Sequence, residues 1–170
     1  SKIVFDGQIV RLRVDTIRMP DGTEATREIV EHDEVVAVVA VDADDNALLV
    51  RQYRRPMDKE LLEIPAGGIE GNEEPEETVR REMQEETGYL PQIVERLGGF
   101  YSAPGFCNEY LYLYLATDLV PSQLHAEDTD EITLLRVPLD EIPGLITSGS
   151  ICDAKSIAGL LTYLEYRKTD

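Results

Sequence analysis

Residues 67–89 read GGIEGNEEPEETVRREMQEETGY, and this acidic segment carries more information than any other part of the sequence. So many carboxylates close together would repel one another strongly in an apolar environment. A bound divalent cation relieves such repulsion, and ligands that are all oxygen atoms favour Mg²⁺, with Mn²⁺ also possible. The alternative interpretation is a solvated acidic helix face that binds nothing.

The second half of this segment is predicted to form a helix over residues 75–87. A proline suits the first helical position, and a glycine suits the position just after the last. On such a helix Glu82 and Glu86 lie four residues apart on one face, and Glu85 borders that face. The glycines that precede the helix form a loop that can approach a ligand closely.

The whole pattern resembles the Nudix box, in which fixed spacings join a glycine, a glutamate and the sequence Arg-Glu-aliphatic-x-Glu-Glu-x-Gly. The matching positions are Gly67, Glu73, Arg81, Glu82, Glu85, Glu86 and Gly88. Tyr89 departs from the usual aliphatic residue at the end. The resemblance identifies the chain as a member of the Nudix hydrolase family, and it implies an α/β fold, the Nudix α/β/α sandwich.

The sequence before the box predicts a small N-terminal antiparallel β-sheet. Residues 3–14 alternate loosely, Asp21-Gly22 is a strong turn, and the pattern continues to about residue 32. A sheet this small buries little surface by itself, so we expect it to pack on the main domain or on a partner subunit. The predicted division is an N-terminal sheet at 1–32 and a Nudix hydrolase domain at 33–170.

The rest of the chain predicts alternating strands and helices. Residues 35–41 form a continuous apolar run, which is typical of a fully buried strand. Further strands are predicted at 47–52, 61–64, 92–101, 109–117 and 132–137, and a short helix is predicted at 140–148. Asp153 is predicted to cap a final helix whose buried stripe contains Ile157, Leu160, Leu161 and Leu164.

The family resemblance also implies roles for residues in and near the box. The implied metal ligands are Glu82, Glu85, Glu86 and the carbonyl of Ala66. Arg81 is implied to orient a box glutamate, with Glu73 completing its salt-bridge network.

Segments outside the box resemble the ADP-ribose pyrophosphatase branch of the family. In that branch an Arg-Glu pair on the N-terminal sheet helps to bind the adenine end of the substrate across a domain-swapped homodimer, and Arg27-Glu28 match this pair. An arginine can stack on a base and a glutamate can accept from an exocyclic amine. The alternative is a surface salt bridge of little energetic value.

The other matches to this branch lie on the substrate side. Arg54 matches a phosphate-binding arginine, whose guanidinium suits a pair of diphosphate oxygens. In the segment SAPGFCNE at 102–109, Gly105 and Glu109 match substrate contacts near the ribose, although Phe106 is bulkier than the residue found there in some relatives. The alternatives are a solvated basic loop and an ordinary Pro-Gly turn.

The acidic run EDTDE at 127–131 matches a loop that supplies the general base of the branch, or positions its water. Glu131 matches best and Glu127 is the reserve candidate. If neither is the base, a box glutamate such as Glu85 takes that role. The alternative is a solvated loop with no chemistry.

Together these matches imply Mg²⁺-dependent hydrolysis of the diphosphate of ADP-ribose, or of a related nucleoside diphosphate sugar, to AMP and ribose 5-phosphate. One alternative is a pyrophosphatase that acts on GDP-mannose or ADP-glucose. The other is a regulator that binds ADP-ribose without cleaving it, and the retained glutamates at 82, 85 and 86 argue against it.

Composition restricts partners and location. The net charge of −18 argues against nucleic acid, but it is compatible with a small phosphorylated substrate delivered with a metal. Two cysteines are too few for a disulfide framework, which fits a reducing cytoplasm. We find no signal peptide and no apolar run long enough to span a membrane, so a cytoplasmic protein is expected.

Overall fold

The first three strands form a separate antiparallel sheet, as predicted. The computed structural model describes residues 1–125 and 132–169. The sheet has the order β1-β2-β3, with β1 at Lys2–Asp6, β2 at Val10–Arg18 and β3 at Glu24–His32. Every residue of β1 is exposed, so none of the other residues that the structure describes covers this edge of the sheet.

The remaining strands form a seven-stranded mixed sheet. Its strands are β4 (Val35–Val41), β5 (Asn46–Arg54), β6 (Lys59–Glu63), β7 (Ala66–Gly68), β8 (Tyr89–Tyr101), β9 (Tyr110–Pro121) and β10 (Thr133–Pro138). The order is β10-β5-β4-β9-β8, with β6 paired to β5 and β7 paired to β4. β4 and β9 are parallel, and their neighbours are antiparallel.

The sheet opens between β4 and β5. These strands pair only where they approach their common hairpin, at Ala40–Leu48 and Val41–Ala47. Farther from the hairpin, β7 pairs with the start of β4, and β6 pairs with the second half of β5. The sequence did not predict β7, because three residues rich in glycine carry no strand periodicity. The opening leaves β7 accessible to the elements that follow it.

Helices cover both faces of the large sheet, which confirms the predicted α/β/α sandwich. The helices are α1 (Pro75–Glu82), α2 (Ile142–Thr147) and α3 (Ala154–Tyr166). Every residue of β4 is buried, and successive side chains point to opposite faces. Val36 and Val38 pack with Val79 and Met83 on the α1 side, whereas Val39 packs in the core on the α3 side.

The predicted helix over 75–87 changes geometry in its second half. The α-helix ends at Glu82, and Met83–Thr87 form a π-helical turn that ends at Gly88, whose φ is 77°. Single π-helical turns are frequent at functional sites. This turn carries Glu85 and Glu86.

The predicted cap of α3 is confirmed, but its predicted apolar stripe is partly wrong. The Asp153 side chain accepts a hydrogen bond from the Ser156 backbone N–H. Leu161 is 46% exposed, whereas Gly159 and Tyr163 are buried. A Cβ at Gly159 would lie 2.9 Å from Ile64 Cδ1, so the glycine allows close packing on the sheet and turns Leu161 towards solvent. At 13 residues α3 is the longest helix in the described ranges, and none there could cross a membrane.

Candidate active site

The opening in the sheet contains a cavity of about 280 Å³ that is lined by the acidic residues of the 67–88 segment. β7 forms one wall, and α1 with its π-helical turn forms another. The lining residues are Gln52, Arg54, Ala66, Gly67, Gly68, Glu70, Arg81, Glu82, Glu85, Glu86 and Ile132. The structure therefore brings the four predicted metal-ligand residues to one cavity.

Gly67 allows β7 to approach the helix this closely. A Cβ built on Gly67 would lie 1.9 Å from both Cδ and Oε1 of Glu82, which is far inside van der Waals contact. The same construction on Gly68 meets no atom within 4 Å. The space beside Gly67 is therefore filled by the Glu82 carboxylate.

Arg81 is the centre of an ion-pair network among the acids. Its Nε lies 2.9 Å from Glu73 Oε1, and its Nη1 lies 2.7 Å from Glu82 Oε1 and 3.1 Å from Glu85 Oε2. Its Nη2 donates to the carbonyl of Gly68 at 2.9 Å. The hydrogen bond from Arg81 lowers the pKa of Glu73 to about 2. Arg81 thus joins α1 to β7 and sets the positions of three carboxylates.

Glu86 lines the same cavity but is held differently. Its Oε2 accepts a hydrogen bond from the Ala66 backbone N–H at 3.1 Å. Burial, and then the negative charge of Glu82, raise the pKa of Glu86 to about 8. Without a cation, Glu86 therefore holds a proton at neutral pH. Four glutamates (Glu70, Glu82, Glu85 and Glu86) and two arginines (Arg54 and Arg81) line the cavity, so its acidic residues outnumber its basic ones.

The donor set suits a hard divalent cation. It consists of the Glu82, Glu85 and Glu86 carboxylates and the Ala66 carbonyl, all oxygen ligands. In the ranges the structure describes, no three acidic, histidine or cysteine side chains are gathered tightly enough to hold a metal. The physical reason is that Arg81 holds Glu82 and Glu85. A cation would have to draw these carboxylates away from the guanidinium.

The raised pKa of Glu86 predicts a specific dependence of stability on pH. A carboxyl group with a higher pKa in the folded state binds more protons when folded, so its stabilising effect is fully present below the ordinary pKa of 4.5. That effect is lost as the pH rises through about 8. We therefore expect the free energy of unfolding, measured in urea with a chelator, to fall between these values. Glu86→Gln should flatten this decrease, and an equally steep decrease in that variant would contradict the assignment.

A second cavity, of about 360 Å³, adjoins the first. Arg54 and β7 line both cavities, so they form the wall between them. The second cavity is also lined by Val35, Phe100, Ser102, Glu109, Leu111, Asp153, Ala154 and Lys155. It combines apolar side chains with a few polar groups, as is typical of a small-molecule site.

Two larger cavities lie away from these residues. One of about 510 Å³ lies beside the β4–β5 hairpin at 42–45, and one of about 640 Å³ lies beside the start of α1 at 74–77. Neither is lined by Glu82, Glu85 or Glu86. The candidate site is therefore assigned from its chemistry and not from cavity volume.

A buried charged cluster adjoins Arg54, and the sequence did not predict it. Arg54 donates from Nε and Nη2 to the two oxygens of Glu63, at 2.8 and 2.7 Å. Glu63 is only 2% exposed, and it also accepts from Lys155 Nζ. Burial by itself would raise the pKa of Glu63, but Arg54 and Lys155 hold it below its ordinary value. One signal was available, because strand alternation places Glu63 on the same face as the buried Leu61.

The Pro-Gly loop is attached to the N-terminal sheet. Val30 donates its backbone N–H to the Phe106 carbonyl at 2.7 Å, and Asn108 donates back to the Val30 carbonyl at 3.2 Å. Glu109 lines the second cavity, and its Oε1 lies 3.5 Å from His32 Nδ1. Gly105 lies in this loop and lines neither of the two site cavities.

Some predicted site residues are not brought to the cavities within a single chain. Arg27 and Glu28 are exposed on β3 and line neither cavity, and Arg27 Nη1 donates to the neighbouring Thr26 carbonyl. Glu127 and Glu131, the two candidate bases, lie outside the residues that the structure describes.

Known proteins and family profiles match almost the whole length of the chain. A family profile described as "NUDIX domain" matches residues 31–160, and one described as "Nucleoside diphosphate sugar hydrolase N-terminal domain" matches residues 1–30. The chain is 36% identical to an ADP-ribose pyrophosphatase from Bacillus subtilis and 38% identical to a methanol dehydrogenase activator from Bacillus methanolicus. Each alignment covers 97% of this chain and 90% of the relative. A solved ADP compounds hydrolase has the same fold, with a TM-score of 0.90 at 22% identity, over 99% of this chain and 91% of that one.

Proposed function

The chain belongs to the Nudix hydrolase family, and we propose that it cleaves the diphosphate of ADP-ribose, or of a closely related nucleoside diphosphate sugar, with Mg²⁺ as cofactor. The supporting observation is the pair of adjoining cavities that share Arg54 and β7 as a wall. Carboxylates line one side, and a mixed apolar and polar pocket lies on the other. A diphosphate at this wall would meet the arginine and the acid cluster together.

Each residue then has a distinct part in the reaction. A bound Mg²⁺, held by Glu82, Glu85, Glu86 and the Ala66 carbonyl, would supply charge neutralisation and a water of lowered pKa. Arg81 orients the carboxylates through the contacts described above. Arg54 binds diphosphate oxygens through its planar guanidinium.

The remaining contacts are assigned to the two ends of the substrate. Glu109 and the Gly105 loop bind the sugar end, because Glu109 lines the second cavity and this loop leads directly into it. Arg27 and Glu28 bind the nucleoside end and reach it from a partner protomer, since neither lines the cavities of its own chain.

A substrate panel with Mg²⁺ tests this function. We expect the highest kcat/KM with ADP-ribose, and AMP and ribose 5-phosphate as products. A higher kcat/KM with GDP-mannose or ADP-glucose would favour the alternative sugar-nucleotide pyrophosphatase. Tight binding of ADP-ribose without cleavage would favour the regulator, which the retained glutamates at 82, 85 and 86 argue against.

We also propose Glu131 as the general base, with Glu127 as the reserve. The box glutamates are committed to metal, so the proton acceptor is expected from another segment. Glu131→Gln should lower kcat at least about tenfold and change KM much less, because a metal-activated water depends only partly on its base. If Glu127→Gln lowers kcat strongly and Glu131→Gln leaves it at the wild-type value, Glu127 is the general base instead. If both are normal, the role passes to Glu85.

We further propose that residues 1–32 are a dimerisation region, so that the active form is a homodimer. Val4 and Phe5 are each 57% exposed and Ile9 is 74% exposed, so the described part of one chain leaves this apolar edge uncovered. Light scattering should give twice the mass of one chain. Val4→Asp/Phe5→Asp places two charges on this exposed apolar edge and should yield a folded monomer with weakened substrate binding. A fully active wild-type monomer would refute the dimer.

A further inference from the structure

The buried carboxylate of Glu63 pairs with two cations, Arg54 in the wall between the cavities and Lys155 in the lining of the second cavity. Arg54 binds both of its oxygens, and Lys155 Nζ binds one of them. Lys155 also contacts Asp153 Oδ2 at 3.0 Å, and its side chain is largely buried. Both cations line the second cavity. The position of Arg54 is therefore coupled to Lys155 through Glu63.

Lys155 lies where a cation is unfavourable for its own helix. It is the second residue of α3, and the positive end of the helix dipole disfavours a lysine there. Asp153 already caps the helix through the Ser156 N–H, so Lys155 is not needed for capping. A lysine at this unfavourable position indicates a compensating interaction, which here is the ion pair with Glu63.

The contact between Lys155 and Glu63 matters most when Arg54 binds a ligand. An arginine that turns its guanidinium towards a diphosphate weakens its own bonds to Glu63. A buried carboxylate left without a partner is strongly unfavourable, so Glu63 alone would hold Arg54 back. With Lys155 in place, Glu63 keeps a cationic partner while Arg54 moves.

We propose that Lys155 is a positioning residue that keeps Glu63 paired and so releases Arg54 to bind the substrate diphosphate. This inference rests on the proposed function for the identity of the substrate. It does not rest on that function for the coupling, which concerns binding of any diphosphate at Arg54.

The test combines kinetics with a direct binding measurement. Lys155→Met should raise KM about tenfold or more and leave kcat within about threefold, because binding is impaired while the hydrogen bonds that hold Glu85 and Glu86 do not involve Lys155. The Kd for magnesium pyrophosphate, measured by calorimetry, should rise about tenfold as well. Lys155→Arg should restore most of the affinity. Lys168→Met is the matched control, because Lys168 is 67% exposed and pairs only with Glu165 among the described contacts.

The double variant Lys155→Met/Glu63→Gln separates positioning from other roles. Without its charge, Glu63 no longer holds the Arg54 guanidinium away from the ligand. The double variant should therefore bind pyrophosphate more tightly than Lys155→Met alone. If the double variant is as weak as the single one, Lys155 contacts the ligand directly or is only structural, and the inference fails. Unchanged affinity in Lys155→Met also overturns it.

These outcomes are distinguishable from failure of the proposed function. If the variants follow the expected pyrophosphate pattern but no nucleoside diphosphate sugar is hydrolysed, the coupling stands and the proposed reaction fails. If the wild type hydrolyses ADP-ribose but the variants do not follow the expected pyrophosphate pattern, the proposed reaction stands and the coupling fails.

Discussion

Glu82→Gln is expected to lower kcat by a factor of at least about 10² while the protein stays folded. Glu82 lies at the centre of the acidic cavity, where its carboxylate fills the space beside Gly67 and contacts Arg81 Nη1 at 2.7 Å. Glutamine has the same shape but lacks the charge that a divalent cation requires. Arg81 keeps its ion pairs with Glu73 and Glu85 in this variant, so we expect no loss of folding.

Steady-state kinetics with Mg²⁺ and calorimetric measurement of Mg²⁺ binding would check this prediction together. Glu86→Gln should behave in the same way. Glu77→Gln is the matched control, because Glu77 is exposed on the same helix and only accepts the Glu74 N–H in a capping box, which glutamine can also do. Turnover within about threefold of wild type for both Glu82→Gln and Glu86→Gln would remove the acid cluster from the mechanism.

Gly67→Ala is expected to lower kcat by about 10² with little effect on stability. The added Cβ would overlap the Glu82 carboxylate, because it would lie 1.9 Å from Cδ. That carboxylate is the end of a flexible side chain, so it moves away at small cost to the fold. Displacement of the Glu82 carboxylate removes a negatively charged ligand from the proposed Mg²⁺ site.

Gly68→Ala provides a control one residue away. A Cβ there meets nothing within 4 Å, and the Gly68 carbonyl that accepts from Arg81 is unchanged. We expect near wild-type kinetics and an unchanged melting temperature. If Gly67→Ala is as active as Gly68→Ala, the position of Glu82 beside β7 does not matter for the reaction. A large fall in melting temperature in Gly67→Ala would instead show that β7 itself is displaced.

Local patterns were sufficient for most secondary structure. The apolar run at 35–41 is a fully buried strand because both of its faces are covered, as a continuous run predicts. Asp153 caps α3 as its position before an apolar helix predicts. The stripe of α3 was partly mispredicted at Leu161, because close packing at Gly159 and not apolar spacing sets which face of this helix meets the sheet.

The sequence by itself determined the family, the sandwich fold and the set of acids at the cavity, because these depend on short spacings within one segment. Only the tertiary structure showed the opening between β4 and β5, the contact of Gly67 with Glu82, and the pairing of Glu63 with Lys155, which are 92 positions apart. Spacing along a helix or strand is a local property, so a sequence reveals which face a side chain occupies. Contacts between distant segments depend on how whole elements pack, and no local pattern records that packing.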